Sequence, residues 1–550
     1  MIQTIDIIIS TSYILLILFI GLWVGIRHRR QSKKNEASSY FLAGKSLKWP
    51  AIGLALFATN ISTVHLVSLA QSGFDTGLLS GNFEWMAAFT LILLALFFVP
   101  FYLKSGVSTL PDFLEKRYDR SSRDWLTFVS IISAIIIHIA FSMLAGGIVL
   151  KTLFGVNIYL SVVVICIITA FYTIVGGLKA VVVTESIQTI VLLLGAGVIC
   201  FACYHKMSGW NSMVEVLHSE QQSVKLSMLR PANDPSGMPW YAVFLGYPVL
   251  GIWYWCADQT IVQRVLGAKD ENHARVGTLF CGFIKILPVF IFIIPGLFAY
   301  TLAKTGQLDL SSITTMDSNG QTVVESKGIY TLMITQLLPT GLIGLLVAAL
   351  LSGLMSQVSG ALNSISTMVS YDIYARYYPN LDDRKLVKTG KIAAGIALLF
   401  SLALLPLLNR YESIFSGIND IIAHIAPPIT CVFLLGIFWK RASAPSAKIT
   451  LWFGSALGAA VFTINKLWTD TWFAAIPFMM MAFYLFSFCV LLQIILSYIY
   501  PVVHTRESAT LYWVSWKSPL TAKGWPGLAN YKTLSAILFI SMAVLFYLFR

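Results

Sequence analysis

Apolar residues run through this chain in blocks of about twenty, separated by short polar segments, from "IDIIISTSYILLILFIGLWVGI" near the start to "LSAILFISMAVLFYLF" at the end. A helix of that length crosses the hydrocarbon core of a bilayer. The pattern predicts about fourteen spans, over residues 4–26, 51–79, 82–103, 124–154, 157–177, 181–205, 240–263, 276–304, 329–373, 390–409, 412–438, 447–467, 472–499 and 533–549. Two of them carry polar and helix-breaking residues at mid-depth, "LFATNISTVHLVSLAQSG" (56–73) and "YPVLGIWYWCADQ" (247–259). Backbone that leaves the helix inside a bilayer survives only where protein or a cavity satisfies it. Interrupted helices at matching positions of two halves signal an inverted-repeat transporter with its site near the midplane. These two lie five spans apart.

Composition sharpens the class. With 57% hydrophobic and 11% charged residues the chain is a polytopic helical membrane protein rather than a soluble one. The net charge of +13 does not point to nucleic acid, because the Lys and Arg sit in short clusters between spans. If the N-terminus is outside, "RHRRQSKK", "KSGVSTLPDFLEKRYDRSSR", "RVLGAKDENHAR", "ARYYPNLDDRKLVKTGK", "WKRASAPSAK" and the 500–532 segment fall inside, as positive loops should. The first span reads as a retained helix, since its positive cluster follows the apolar core. The seven cysteines form no metal-ligand spacing and argue against a disulfide framework. No Asn-x-Ser/Thr sequon falls in a loop expected outside, which fits a plasma membrane of the bacterial inner-membrane kind.

Candidate chemistry is sparse and therefore informative. An ionisable side chain inside a span is costly unless paired or hydrated, so Glu84 in "NFEWM" and Lys285 in "GFIKILP" are functional candidates. The ordinary alternatives are an interfacial carboxylate and a helix-tying ion pair. A carboxylate acceptor with an ammonium donor suits a polyhydroxylated, uncharged ligand. Asn60 and His65, five positions apart, share a face only if the helix is interrupted between them. Tyr254 and Trp255 offer rings that stack on a sugar's apolar face or simply pack. Asp258 and Arg264 are expected to form an ion pair at the cytoplasmic mouth. The span around "LLSGLMSQVSGALNSISTMVS" is rich in hydroxyls, which serve either small-residue packing or a hard cation. There is no P-loop, HExxH or GxSxG, so the chain does not read as an enzyme and needs no cofactor of its own.

Several blocks carry a family resemblance: "YFLAGKSLKWPAIGLALFATNIS", "FEWMAAFTLILLALFFVPFYLKSGVSTLPDFLEKRY", "YTIVGGLKAVVVTESIQ", "WYWCADQTIVQRVLGAKD", "GFIKILPVF", "NSISTMVSYDIY" and "APPITCVFLLGIFWKR". In order over roughly residues 40–445, they resemble the sodium/solute symporter family, most closely its sodium–glucose cotransporter branch. The resemblance implies an all-α LeuT-type fold: a leading helix and loop (1–50), a five-helix repeat (51–205), an external loop (206–239), a second inverted repeat (240–438) and three C-terminal helices (439–550). It implies a sugar site of Asn60, His65, Glu84, Tyr254, Trp255, Lys285 and Asn419, with Phe83 as outer cap and Tyr254 as inner gate. Sodium, the implied coupling ion, would take carbonyls of Ala58, Ile61 and Gly353 and the hydroxyl of Ser356. Three departures stand out: Gln357 where the family has a second hydroxyl, Asn419 where its glucose carriers have Gln, and Glu185 where Asp is usual. Glu185 could influence a second cation or an ion path. The expected activity is inward sodium-coupled transport of a neutral hexose such as glucose or galactose. A proton-coupled carrier, a polyol or inositol transporter and a sugar-gated sensor or channel stay open, as does the oligomeric state.

Overall fold

The computed structural model describes residues 3–31, 35–234, 236–316, 322–378, 382–408, 414–468, 476–515 and 517–550. Eleven helices in it are long and apolar enough to cross a membrane. The fourteen predicted spans map onto these with four exceptions. Span 51–79 is broken at 61–62 and its second half merges with 82–103 in one helical run, His65–Lys104, and spans 157–177 and 181–205 merge in Ile158–Lys206. The span at 240–263 is absent from the eleven because it is broken: the helix Trp240–Ile252 passes into a π-turn, Trp253–Ala257, and stops at Asp258. The predicted span 329–373 instead divides into Ile329–Leu337 and Leu342–Met368, because "LPTG" interrupts it with a proline and with Gly341 at φ 90.

Both predicted interruptions exist, for legible local reasons. Trp49–Asn60 ends where Ile61 (φ −84, ψ 109) and Ser62 (φ −107, ψ 176) turn extended, and the helix restarts as Thr63–Thr76. Ser62 and His65 form a reciprocal capping box at the restart. At the second break Asp258 (φ −86, ψ 122) caps Gln259–Leu266 by accepting from the Thr260 N–H at 2.6 Å.

Loops assigned to one side of the membrane meet at one end of the bundle. Arg123 pairs with Asp372 at 2.8 Å, Arg376 with Asp124 at 2.5 Å, and Leu47 bridges Ala268. At the opposite end Lys225 donates to the Phe74 carbonyl at 2.7 Å and Lys304 pairs with Glu220 at 2.5 Å. That end also carries a small antiparallel hairpin, Thr314–Met316 with Thr322–Val324, which the sequence pattern did not predict. All seven cysteines are free.

At the centre, Leu342–Met368 lies almost wholly buried against Ile158–Lys206, which also packs on the first helix, Thr4–Gln31. Small residues permit this approach: a Cβ on Gly25 would fall 2.3 Å from the Gly176 Cα. Beside that contact Gly177 adopts φ 64, ψ −167, a conformation open only to glycine, and kinks Ile158–Lys206. A Cβ there would also stand 2.5 Å from the Tyr40 carbonyl oxygen. Gly177→Ala is therefore expected to cost at least ~1–3 kcal/mol and to lower the thermal midpoint of the detergent-solubilised protein. Gly197→Ala, where a Cβ meets nothing within 4 Å, serves as the neutral control.

Candidate substrate and ion sites

The two breaks face each other across one cavity enclosing about 860 Å³ of non-atom space, part of it continuous with solvent. All eight residues expected at the sugar site or its gates line it: Asn60, His65, Phe83, Glu84, Tyr254, Trp255, Lys285 and Asn419. They come from five separate helical segments, and the first break explains how two of them share a wall. Had the helix run on from Asn60, His65 would point elsewhere.

Glu84 and Lys285 are both buried and paired with each other, and the Lys285 ammonium also donates to Asn60 Oδ1 at 2.6 Å. Lys285 sits where Glu271–Ile284 ends in a turn, three residues before Pro288. Its Nζ lies 5.6 Å from the Trp255 ring centroid. At 2% exposure Glu84 is enclosed within the protein rather than open to solvent. His65 Nδ1 accepts from the Ser62 N–H at 3.3 Å, which leaves a neutral imidazole with its proton on Nε2 as a donor. Aromatic rings bound the cavity: Phe83 stacks on Phe478 at 6.2 Å and meets Tyr247 edge-on at 5.9 Å, while Tyr254 lies edge-on to Trp255 at 5.3 Å.

Among the lining residues that the sequence pattern did not single out are His138, Tyr247 and Ser142. His138 is fully buried, with Nε2 3.0 Å from Asp258 Oδ2 and Nδ1 2.8 Å from Gln357 Nε2. Its signal was available, since "IIIHIA" places one ionisable group in an apolar run. The expected Asp258–Arg264 pair is not formed. Asp258 faces His138 and caps its own helix, and a residue six places further along a helix points to a different face. Arg264 instead pairs with Glu185 at 2.5 Å, both side chains wholly buried, over the Cα of Gly360. Glu185 also accepts from Thr59 Oγ1 at 3.2 Å. Its charge is thus already balanced.

The ion-site residues gather at the first break. A continuous helix would bond the Ser62 N–H to the Ala58 carbonyl, but that N–H goes to His65. Ser356 Oγ donates to the stranded Ala58 oxygen at 2.9 Å and to Gly353 O at 3.1 Å. Gly353 allows the approach, for a Cβ there would lie 2.8 Å from the Thr63 nitrogen. Gln357 behaves differently from the hydroxyl it replaces: its amide reaches His138 and lines the cavity, and Oε1 is buried without a partner. Among the described residues no cluster of His, Cys, Asp and Glu suits a transition metal.

The family model of the sodium:solute symporters matches residues 40–454. The chain belongs to that family. Similar relatives include sodium/glucose cotransporter 2 of Rattus norvegicus, 34% identical over 83% of this chain and 71% of the relative. Sodium/glucose cotransporter 1 of Ovis aries is 32% identical over the same shares, and the sodium/mannose cotransporter of Bos taurus is 31% identical over 84% and 79%. A substrate-bound, outward-open Na+-coupled sialic acid symporter superposes with a TM-score of 0.77 at 21% identity, covering 92% of this chain and all of that one. That likeness establishes the LeuT-type inverted-repeat fold of this symporter, a multi-pass membrane protein whose relatives are transporters rather than enzymes.

Breaking a buried ion pair from one side strands a charge at a cost of ~3–5 kcal/mol, whereas removing both partners is far milder. Lys285→Met and Glu84→Gln are each expected to lower the thermal midpoint in sugar-free detergent solution, and the double variant to recover most of the loss. Scanning fluorimetry of the three proteins reads this directly.

Proposed function

We propose that this symporter couples inward sodium movement to uptake of a neutral sugar by alternating access. The observation that carries the reading is the convergence of eight separately expected residues on one cavity that opposes a carboxylate–ammonium pair to a plate of aromatic rings. A sugar fits such a site because its hydroxyls both donate and accept while its ring carbons stack on indole and phenol faces. In this reading Glu84 accepts, Lys285 and His65 donate, Asn60 and Asn419 contribute amides, Phe83 caps the outer side and Tyr254 closes the inner one. The glucose and mannose named for the relatives support a hexose. Asn419, one methylene shorter than Gln, makes the choice among hexoses, polyols and inositol a matter for measurement.

Sodium takes the carbonyls of Ala58 and Ile61, oxygens that a break in a membrane helix supplies, together with the Gly353 carbonyl and the Ser356 hydroxyl of the facing helix. Gln357 turns its amide nitrogen to His138 and keeps Oε1 free for the ion or a sugar hydroxyl. Glu185, neutralised by Arg264, acts on the ion's path rather than holding a second cation. The repeats run over 51–205 and 240–438, flanked by the leading helix of 1–50, the external loop 206–239 and the three closing helices of 439–550. A bacterial inner membrane is the setting.

Because the substrate is uncharged, one sodium per sugar makes transport electrogenic. A potential of about 100 mV contributes roughly 2.3 kcal/mol, and a tenfold sodium gradient about 1.4 kcal/mol; together they sustain accumulation on the order of several hundredfold. The test is uptake of labelled hexoses and polyols into proteoliposomes under a sodium, lithium or proton gradient, with a valinomycin-imposed potential. Uptake that ignores sodium and potential while following protons would overturn the reading. A protein that binds sugar but shows no counterflow would be a sensor.

At the ion site, Ser356→Ala should raise the sodium concentration for half-maximal uptake at least tenfold, the loss of a charge-assisted contact of about 1.5–3 kcal/mol, with little change in sugar half-saturation. Gln357→Ser restores a hydroxyl beside Ser356 and is expected to preserve or tighten sodium activation. Weaker activation would assign the ion to the Gln357 amide oxygen.

A further inference from the structure

A second pocket lies far from the sugar cavity, where the first helix ends against the kink at Gly177. It is a shallow concavity of about 310 Å³ of non-atom space, part of it continuous with solvent, lined by His28, Arg29, Ser39, Tyr40, Gly176 and Glu36, among others. Close packing of Gly25 on Gly176 forms its back wall, and the Tyr40 hydroxyl donates to the Ile174 carbonyl at 2.9 Å across the kink. Above it the chain passes through three consecutive left-handed residues, Ala43, Gly44 and Lys45 (φ 52, 62 and 50). Two of these are not glycine, a conformation held only where the surroundings impose it. This turn sets Gly44 against the His28 ring.

The pocket gathers positive charge. Lys391 Nζ lies 5.3 Å from the Tyr40 ring centroid, and Lys179, which donates to Ser46 Oγ at 3.1 Å, acts electrostatically on His28. His28 Nε2 is buried without a partner. Glu36 is the one carboxylate among the described lining residues, and it is engaged by Arg29 at 3.0 Å and Arg384 at 3.8 Å. His28 and Arg29 thus line the concavity, Lys179 and Lys391 stand beside its wall, and the one acid among the described lining residues is already used.

Its position decides between anions. The pocket opens at the membrane end of the helix Thr4–Arg30, whose Phe19, Trp23 and Ile26 are exposed apolar residues, as are Ile167 and Phe171 on the kinked neighbour. Arg27 lies over the Trp23 ring at 5.3 Å, the pairing of a cation and an indole found at the headgroup level. Basic side chains and exposed apolar side chains thus occur together on these two helices. Basic pockets between spanning helices at the positive face recognise phospholipid headgroups by this combination.

We propose that this pocket is a binding site for the phosphate headgroup of an anionic phospholipid, held by His28 and Arg29 with Lys179 and Lys391 beside them, its acyl chains lying on the exposed apolar surface of the two helices. The headgroup would tie the first helix to the kinked helix and to the strained turn at 43–45, three elements that otherwise meet through small residues.

The test titrates tail-labelled phosphatidylglycerol and phosphatidylcholine against the full-length protein in a neutral detergent, followed by fluorescence anisotropy. Phosphatidylglycerol is expected to bind at least tenfold more tightly. Each neutralised cation should weaken it about fivefold, so Lys179→Gln/Lys391→Gln removes the preference. Arg29, whose side chain is 58% exposed, supplies Arg29→Gln as a variant that leaves the fold intact and loses about fivefold alone. Equal binding of the two lipids, or a preference unchanged in Arg29→Gln and the double variant, overturns the proposal. Displacement of phosphatidylglycerol by millimolar inorganic phosphate overturns it too, by making the site one for a soluble anion.

Discussion

A helix that stops at Asn60 and restarts at Thr63 strands backbone groups inside a bilayer, and the rest of the symporter is arranged to satisfy them. An unpaired amide or carbonyl in hydrocarbon costs several kcal/mol. The Ser62 N–H is taken by His65, the Ala58 carbonyl by Ser356, and the Thr63 hydroxyl donates to the Leu350 carbonyl at 2.7 Å. Two of those three partners belong to Leu342–Met368, which explains why that helix is buried on nearly every side and carries glycine and serine where it crosses the break. The Ala58 and Ile61 carbonyls are free of the helix ladder because it is interrupted there.

Charge inside the bundle follows the same economy of partners. Glu84 with Lys285, Glu185 with Arg264 and Asp258 with His138 each join residues more than 75 positions apart. Each of these groups therefore has a polar partner in the interior. The Glu84–Lys285 pair differs from the Glu185–Arg264 pair in facing the cavity, where a ligand hydroxyl can share the charges. Glu185 and Arg264 are sealed against the packed glycine of a neighbouring helix and tie elements together.

Much of this was legible along the chain. The spans follow from transfer free energy, which is a property of local composition, and both interruptions announce themselves through polar and breaking residues in apolar runs. Glu84, Lys285, Asn60 and His65 stood out for the same reason. His138 carried an equal signal in "IIIHIA" and was missed because one histidine in an apolar run says nothing of what it faces. The paired strands Thr314–Met316 and Thr322–Val324 are too short to leave a period in the pattern, and the fusion of adjacent spans depended on whether a short polar segment bends or stays helical.

Local composition and pattern specify a polytopic helical transporter with two broken helices, the family it resembles and the residue types at its site. The partners come from packing: Arg264 on Glu185 instead of Asp258, Gln357 on His138, Glu84 against Lys285. Hydropathy and helix periodicity are read over twenty residues, but a buried charge chooses among groups brought within 3 Å by helices hundreds of residues apart. That choice is set by packing geometry, to which small residues such as Gly25, Gly176 and Gly353 contribute by what they lack.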